Sequence, residues 1–233
     1  MRDEDGSRRR LAAARFGVLA ATVLVTIGAI MIAAPLVHGR VRAQLLVSLP
    51  IMVGLYVVSG NARLVAYVTG AMLVVGVLGA ISVASDELTP LLLDMGLRAA
   101  VIAVVTGWLT VEVARESRVS LDTILGGICV YLLIAFLYVH VYLILHLVNS
   151  GSLVSNGHPL DAAVDAQHPF RAISDLVYFS YATLTTVAYG DITPATAVAR
   201  FVAMTEGMLG QLFPTIFIAR LVSLNIAQRR EPT

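Results

Sequence analysis

The chain has 233 residues, of which 58% are apolar and 13% charged, and its mean hydropathy is +0.85. Soluble domains run near about 25% charged, so this deficit, with several apolar stretches of roughly 20 residues, excludes a water-soluble fold and indicates an integral membrane protein. A net charge of +1, its cations all arginine and scattered around segment ends, gives no footing for a nucleic-acid partner.

Residues 1–15 read as a cytoplasmic N-terminus in which Arg8, Arg9 and Arg10 precede an apolar run. That run, residues 16–37, is 22 residues long, beyond the roughly 7–15 of a signal-peptide core, and is read as a retained first transmembrane helix. Further spans are drawn at residues 43–60, 64–84, about 88–114, 124–148 and about 197–226. The second is short and holds Pro50, and the fourth is interrupted by Asp94, Arg98 and Glu112. Helix is the economical reading of each, because in lipid a segment must satisfy its own backbone polar groups. The alternating pattern of a transmembrane barrel is missing. The expected class is an all-α integral membrane protein with six transmembrane helices. A four-helix domain at 16–114 and a cytoplasmic linker at 115–121 precede a second unit at 122–226 and a cytoplasmic tail at 227–233.

Loop arginines set the orientation. With the N-terminus inside, Arg2, Arg8, Arg9, Arg10, Arg15, Arg63, Arg115, Arg118, Arg229 and Arg230 gather on the cytoplasmic side. Arg40, Arg42, Arg171 and Arg200 remain outside, where Asp86 and Glu87 add negative charge. A multi-pass protein of the cell membrane (plasma or inner) with both termini cytoplasmic is expected. Cys129, the single cysteine, precludes an intrachain disulfide.

The fourth span is no voltage sensor, which needs about 3–4 gating charges. Arg98 has Asp94 one turn before it as a neutralising partner, and Arg115 and Arg118 stand at the cytoplasmic exit. Residues 115–122 are open to a linker-helix reading, lying on the membrane surface and pulling on the fifth span. His140 and His146, in the fifth span, read as packed side chains.

Residues 149–169, rich in Gly, Ser, Asn, Asp and His, read as an exposed loop. His158 and His168 there are weighed as pH-sensing or metal-binding groups. Residues 170–186 follow, 17 positions carrying Leu176, Val177, Tyr178, Phe179, Tyr181 and Leu184. They are too few to cross and return, so the segment is expected to be a re-entrant helix, with Ser174 and Asp175 at its N-terminal end. No enzyme is expected. Gly151-Ser152 lacks the second glycine and the strand–turn–helix setting of a nucleophile elbow.

Thr185-Thr186-Val187-Ala188-Tyr189-Gly190-Asp191, with Pro194 shortly after, resembles the TTVGYGD signature of the potassium-channel pore family. The likeness covers residues 122–226, some 105 of the 233. They fall in the order outer helix, loop, pore helix, filter and inner helix, as in a bacterial two-transmembrane ion-channel pore domain preceded by four extra helices. Arg200 stands where many members carry an outer-mouth arginine, and Gly210 fits the inner-helix hinge glycine. The first four spans contribute nothing to the likeness.

The resemblance implies a selectivity filter of Thr186, Val187, Ala188, Tyr189 and Gly190 between the fifth and sixth helices. Carbonyls of Thr186, Val187, Ala188 and Tyr189 would replace the hydration shell of a potassium ion, with the Thr186 hydroxyl as innermost ring. Thr185, Asp191, Tyr178, Phe179 and Tyr181 would support the filter, the three aromatics packing behind it and bracing Tyr189. Each chain would supply one of four strands, which implies a homotetramer in a lipid bilayer. Potassium would be the permeant ion, with no organic cofactor and no small-molecule substrate. Glu206, Gly210, Gln211, Pro214, Thr215 and Ile218 are assigned to gating or the cavity, with Pro214 inviting a bend. Glu206, an intramembrane carboxylate, either braces the filter from behind or is a protonated or hydrogen-bonded structural group.

Ala188 departs from the family pattern, which has a glycine of positive φ there. An L-residue in that conformation costs about 1–2 kcal/mol. A weakly selective cation channel, and a non-conducting regulatory or structural membrane subunit, therefore stand as alternatives to a potassium channel.

Overall fold

The computed structural model describes residues 15–33, 88–160 and 169–230, with helical backbone also at 66, 69, 70, 74, 76 and 77. The expected second span and most of the third lie outside the described residues. Five helices are fully traced: α1 (Arg15–Ala33), α2 (Leu88–Arg115), α3 (Leu121–Val148), α4 (Pro169–Leu184) and α5 (Ala197–Arg230). Three short strands, β1 (Leu153–Ser155), β2 (His158–Pro159) and β3 (Ile192–Pro194), complete the described elements.

Among the described residues, three helices are long and apolar enough to cross a membrane: Thr89–Arg115, Leu121–Val148 and Ala197–Gln228. The apolar part of α1, Phe16–Ile32, is shorter. At about 1.5 Å per residue, the 28 residues of α3 reach roughly 42 Å, while the 16 of α4 reach roughly 24 Å. The latter falls short of the roughly 30 Å hydrocarbon core.

Local chemistry explains where the helices begin and end. Ser120, in extended backbone, accepts the Thr123 N–H at 3.1 Å and caps α3. Asp122 in the first turn suits the positive end of the helix and accepts the Phe16 N–H at 3.0 Å. α3 therefore starts three residues before the expected span. The segment between α2 and α3, residues 116–120, is not helical, contrary to the linker-helix reading. α2 ends at Arg115 because its last carbonyls find another donor. The Arg220 guanidinium of α5 bonds the carbonyls of Val113 (3.0 Å), Ala114 and Glu116 (2.9 Å). α4 starts at Pro169, which suits a first helical position where no N–H is needed. Ser174 and Asp175 consequently lie past the first turn and are not its N-terminal residues.

Residues 149–160 are more ordered than an exposed loop. Asn156 (φ 51°) and Gly157 (φ 83°) form the tip of a hairpin in which Val154 faces Pro159 and Ser155 faces His158. Two central residues of positive φ match the right-handed twist of the flanking strands, and Asn-Gly meets that demand with least strain. The outer face of β1 pairs with β3, in the order β2-β1-β3, with Leu153 opposite Pro194 and Ser155 opposite Ile192.

Two apolar clusters hold the elements together. Phe16, Leu19, Val23, Leu109, Val113 and Leu133 join α1, α2 and α3 at one end. Ile30, Phe136, Tyr142, Leu153, Leu176 and Phe179 join α1, α3, the hairpin and α4 at the other. The buried, two-pronged ion pair of Arg98 Nε and Nη2 with Asp94 Oδ1 and Oδ2 (3.1 and 3.0 Å) lies within α2, where the sequence expects it. His140 and His146 are buried, and the His140 ring donates to the Phe136 carbonyl at 2.9 Å.

Candidate functional site

The segment after α4 turns back on the helix that precedes it. Thr185 N–H donates to Tyr181, Thr186 N–H to Thr183, and both Val187 and Ala188 N–H groups to Ala182, at 3.0–3.1 Å. The Thr185 hydroxyl adds a 2.6 Å bond to the Tyr181 carbonyl. Four consecutive N–H groups are thus spent on the end of α4. Among the described residues, no group donates to the carbonyls of residues 186 to 190.

The dihedrals complete the picture. Thr186 (φ 60°), Ala188 (φ 43°) and Gly190 (φ 84°) are left-handed, while Val187 and Tyr189 between them are not. Alternating handedness turns successive peptide units the same way, so N–H groups collect on one side and carbonyls on the other. A one-sided row of carbonyls is what a dehydrated cation needs. Ala188 takes the strained conformation the sequence assigns to it. Thr186 takes it too, which sequence reasoning missed, because nothing in a β-branched residue advertises positive φ.

Tyr189 stacks on Tyr178, with ring centroids 6.1 Å apart and planes 9° from parallel. The Tyr178 hydroxyl reaches Asp191 Oδ1 at 3.1 Å. Phe179 and Tyr181 do not brace Tyr189 within the chain. Positions on a helix diverge by about 100°, and these two face α3: Phe179 meets Tyr142 edge-on at 4.9 Å, and the Tyr181 hydroxyl bonds the Leu132 carbonyl at 2.7 Å.

Past residues 186–190, β3 is held by the hairpin. The Asn156 N–H donates to the Asp191 carbonyl at 3.1 Å, and the Ala195 N–H to the Ser152 carbonyl at 2.9 Å. The sequence reading missed this anchor, although Asn156-Gly157 was a usable hairpin signal. Arg200 Nε donates to the Pro194 carbonyl at 3.2 Å, at the start of α5. His158 is exposed in β2, and His168 lies outside the described residues. Among the described residues, no three His, Cys, Asp or Glu side chains gather as a metal site.

Behind α4, Glu206 of α5 is fully buried between α3 and α4. Its Oε2 accepts the Tyr142 hydroxyl at 2.6 Å, and its Oε1 lies 2.5 Å from Ser180 Oγ. Ser180 Oγ also lies 2.8 Å from the Ala135 carbonyl. Gly210 has a packing reason for its missing side chain: a Cβ there would stand 1.9 Å from the Leu184 carbonyl oxygen. The Tyr131 hydroxyl closes the same junction on the Leu184 carbonyl at 3.0 Å. α5 runs unbroken through Pro214, and Gln211, Thr215 and Ile218 are exposed on it.

A family model described as an ion channel matches residues 127–226. Protein LctB of Bacillus caldotenax is 32% identical over 129 residues, 55% of this chain and 92% of that protein. Protein LctB of Geobacillus stearothermophilus is 29% identical over 124 residues, 53% of this chain and 88% of that protein. Two pore potassium channel c of Oryza sativa subsp. japonica is 33% identical over 89 residues, 38% of this chain and 18% of that protein. No solved structure matches the chain.

Proposed function

The chain belongs to the potassium-channel pore family, and from that premise we propose that it conducts potassium selectively as a homotetramer in the cell membrane, both termini in the cytoplasm. The observation that carries this reading is the alternation of backbone handedness at Thr186, Ala188 and Gly190, with the N–H groups of residues 185–188 tied to α4. Four such strands around an axis would cage a potassium ion in carbonyl oxygen. α4 would then be the re-entrant pore helix, α3 the outer and α5 the inner helix of the pore. Gln211, Thr215 and Ile218 would line the cavity, and Arg200 would hold the outer mouth.

Exposure along the chain supports assembly. Val187 is 51% and Tyr189 73% exposed, and α5 leaves Phe201, Met204, Met208 and Ile216 uncovered. Neighbouring chains and lipid would cover these surfaces. A carbonyl cage around a dehydrated potassium ion would take four such strands, one from each chain.

A weakly selective cation channel is the second reading, favoured by the methyl group at Ala188. Purified protein in liposomes separates the two. Potassium should pass and sodium should not, and Tyr189 or Gly190 substitutions should abolish selective flux. Equal passage of both ions would favour the second reading, and no flux from an intact tetramer would end both.

A further inference from the structure

We propose that Glu206 is a positioning residue that acts as a neutral carboxylic acid, completing a one-way hydrogen-bond relay from Tyr142 through Glu206 and Ser180 to the Ala135 carbonyl that fixes the pore helix. The proposal deepens the channel reading and rests on it for the step from α4 to conduction. The proton inventory comes first. Ser180 Oγ carries one hydrogen but has two oxygen neighbours, Glu206 Oε1 at 2.5 Å and the Ala135 carbonyl at 2.8 Å. A backbone carbonyl can only accept. If the serine hydrogen goes to Ala135, the contact with Glu206 needs a hydrogen from the carboxyl group. Were Glu206 ionised, the serine hydrogen would turn to it, leaving two acceptor oxygens 2.8 Å apart with nothing between them. Tyr142 donates its own hydrogen to Oε2 at 2.6 Å. All three contacts are satisfied at once only when Glu206 is protonated, and chains of this kind strengthen one another in a low dielectric.

The surroundings agree. Glu206 is fully buried in a membrane-spanning helix, where a charge needs a partner. The titratable groups facing it from α3 are Tyr142, Tyr138 (bonded to Thr205 at 3.1 Å) and Tyr131, and from α4 Tyr181. His146 lies one turn along α3 from Tyr142, and His140 is bonded to its own helix. Among the described residues, no cation bonds the carboxyl group.

The relay bears on the filter through one helical turn. Ser180 directly precedes Tyr181, Ala182 and Thr183, whose carbonyls receive the N–H groups of residues 185–188. Removing the Glu206 proton redirects the serine hydrogen, breaks the Ser180–Ala135 link and frees α4 to shift, carrying Val187 and Ala188 with it.

Glu206→Gln separates the acid from the anion. An amide donates to Ser180 through its nitrogen and accepts from Tyr142 through its oxygen, so it copies the acid and not the carboxylate. Infrared spectra of the purified protein at neutral pH are expected to show a carboxylic-acid carbonyl band that Glu206→Gln removes. Potassium flux in liposomes is expected to fall severalfold, reversibly, as the wild type is taken to alkaline pH. Glu206→Gln should conduct and lose that response, while Ser180→Ala should conduct poorly at every pH. No band assignable to Glu206 overturns the proposal. A Glu206→Gln protein that assembles but does not conduct overturns it as well, as does an alkaline response that survives in it, which would belong to another group such as His146. If the wild type passes no ion, the channel reading falls, and the infrared band alone decides whether the relay stands.

Discussion

Ala188 holds a methyl group at a backbone position that glycine would occupy freely. Its φ of 43° lies in the left-handed region, where an L-residue costs about 1–2 kcal/mol, and the proposed tetramer would carry that strain four times. Ala188→Gly should therefore raise open probability or potassium-over-sodium selectivity in single-channel records. Unchanged values would mean that the methyl is accommodated without strain, and lost conduction would mean that the methyl itself helps hold the strand. This residue was legible because its departure from a known motif stands in the sequence. Gly210 was legible only by position: the close approach of the Leu184 carbonyl depends on how two helices cross, which no local pattern records. Glu206 stood out as a charge in an apolar run, but its partners, Tyr142 and Ser180, lie 64 and 26 residues away and carry no mark of their role.

Three of the six expected spans are described as helices long and apolar enough to cross a membrane, because such a span needs little beyond an unbroken apolar run of sufficient length. What the runs hide is how the ends are tied. Arg220 bonds three carbonyls at the exit of α2 from a helix more than 100 residues later, joining α5 to the segment before α3. Arg220→Ala leaves those acceptors without their donor, and each lost charged bond is worth roughly 1.5–3 kcal/mol. The variant should unfold at lower temperature in detergent than the wild type. Arg220→Lys should restore only part of the loss, because an ammonium cannot fork between carbonyls as a planar guanidinium does. Full restoration by lysine would mean that charge near the end of α2 matters and geometry does not. The hairpin is the instructive miss. Polar composition suggested a loop, while the dipeptide Asn156-Gly157 carried the turn chemistry that builds β1 and β2 and, through β1, holds β3 beyond residues 186–190.

At the scale of the molecule, α2 packs against α3 and holds Arg98 already paired within its own helix. Arg98 is neutralised by Asp94 within the same helix turn, and moving one charge across 100 mV is worth only about 2.3 kcal/mol. The conductance–voltage relation should be shallow, and replacing Arg98 and Asp94 together should leave its slope nearly unchanged. A steep slope that flattens in the double variant would assign α2 a sensing role. The larger claim is that four chains, each exposing a strand from Thr186 to Gly190, enclose a pore that distinguishes potassium from sodium. Its most direct test is the reversal potential of the purified tetramer in a planar bilayer, with potassium on one side and an equal concentration of sodium on the other. A reversal potential far from zero, of the sign expected for potassium permeation, is the predicted result, and a value at zero with open-channel current would contradict it.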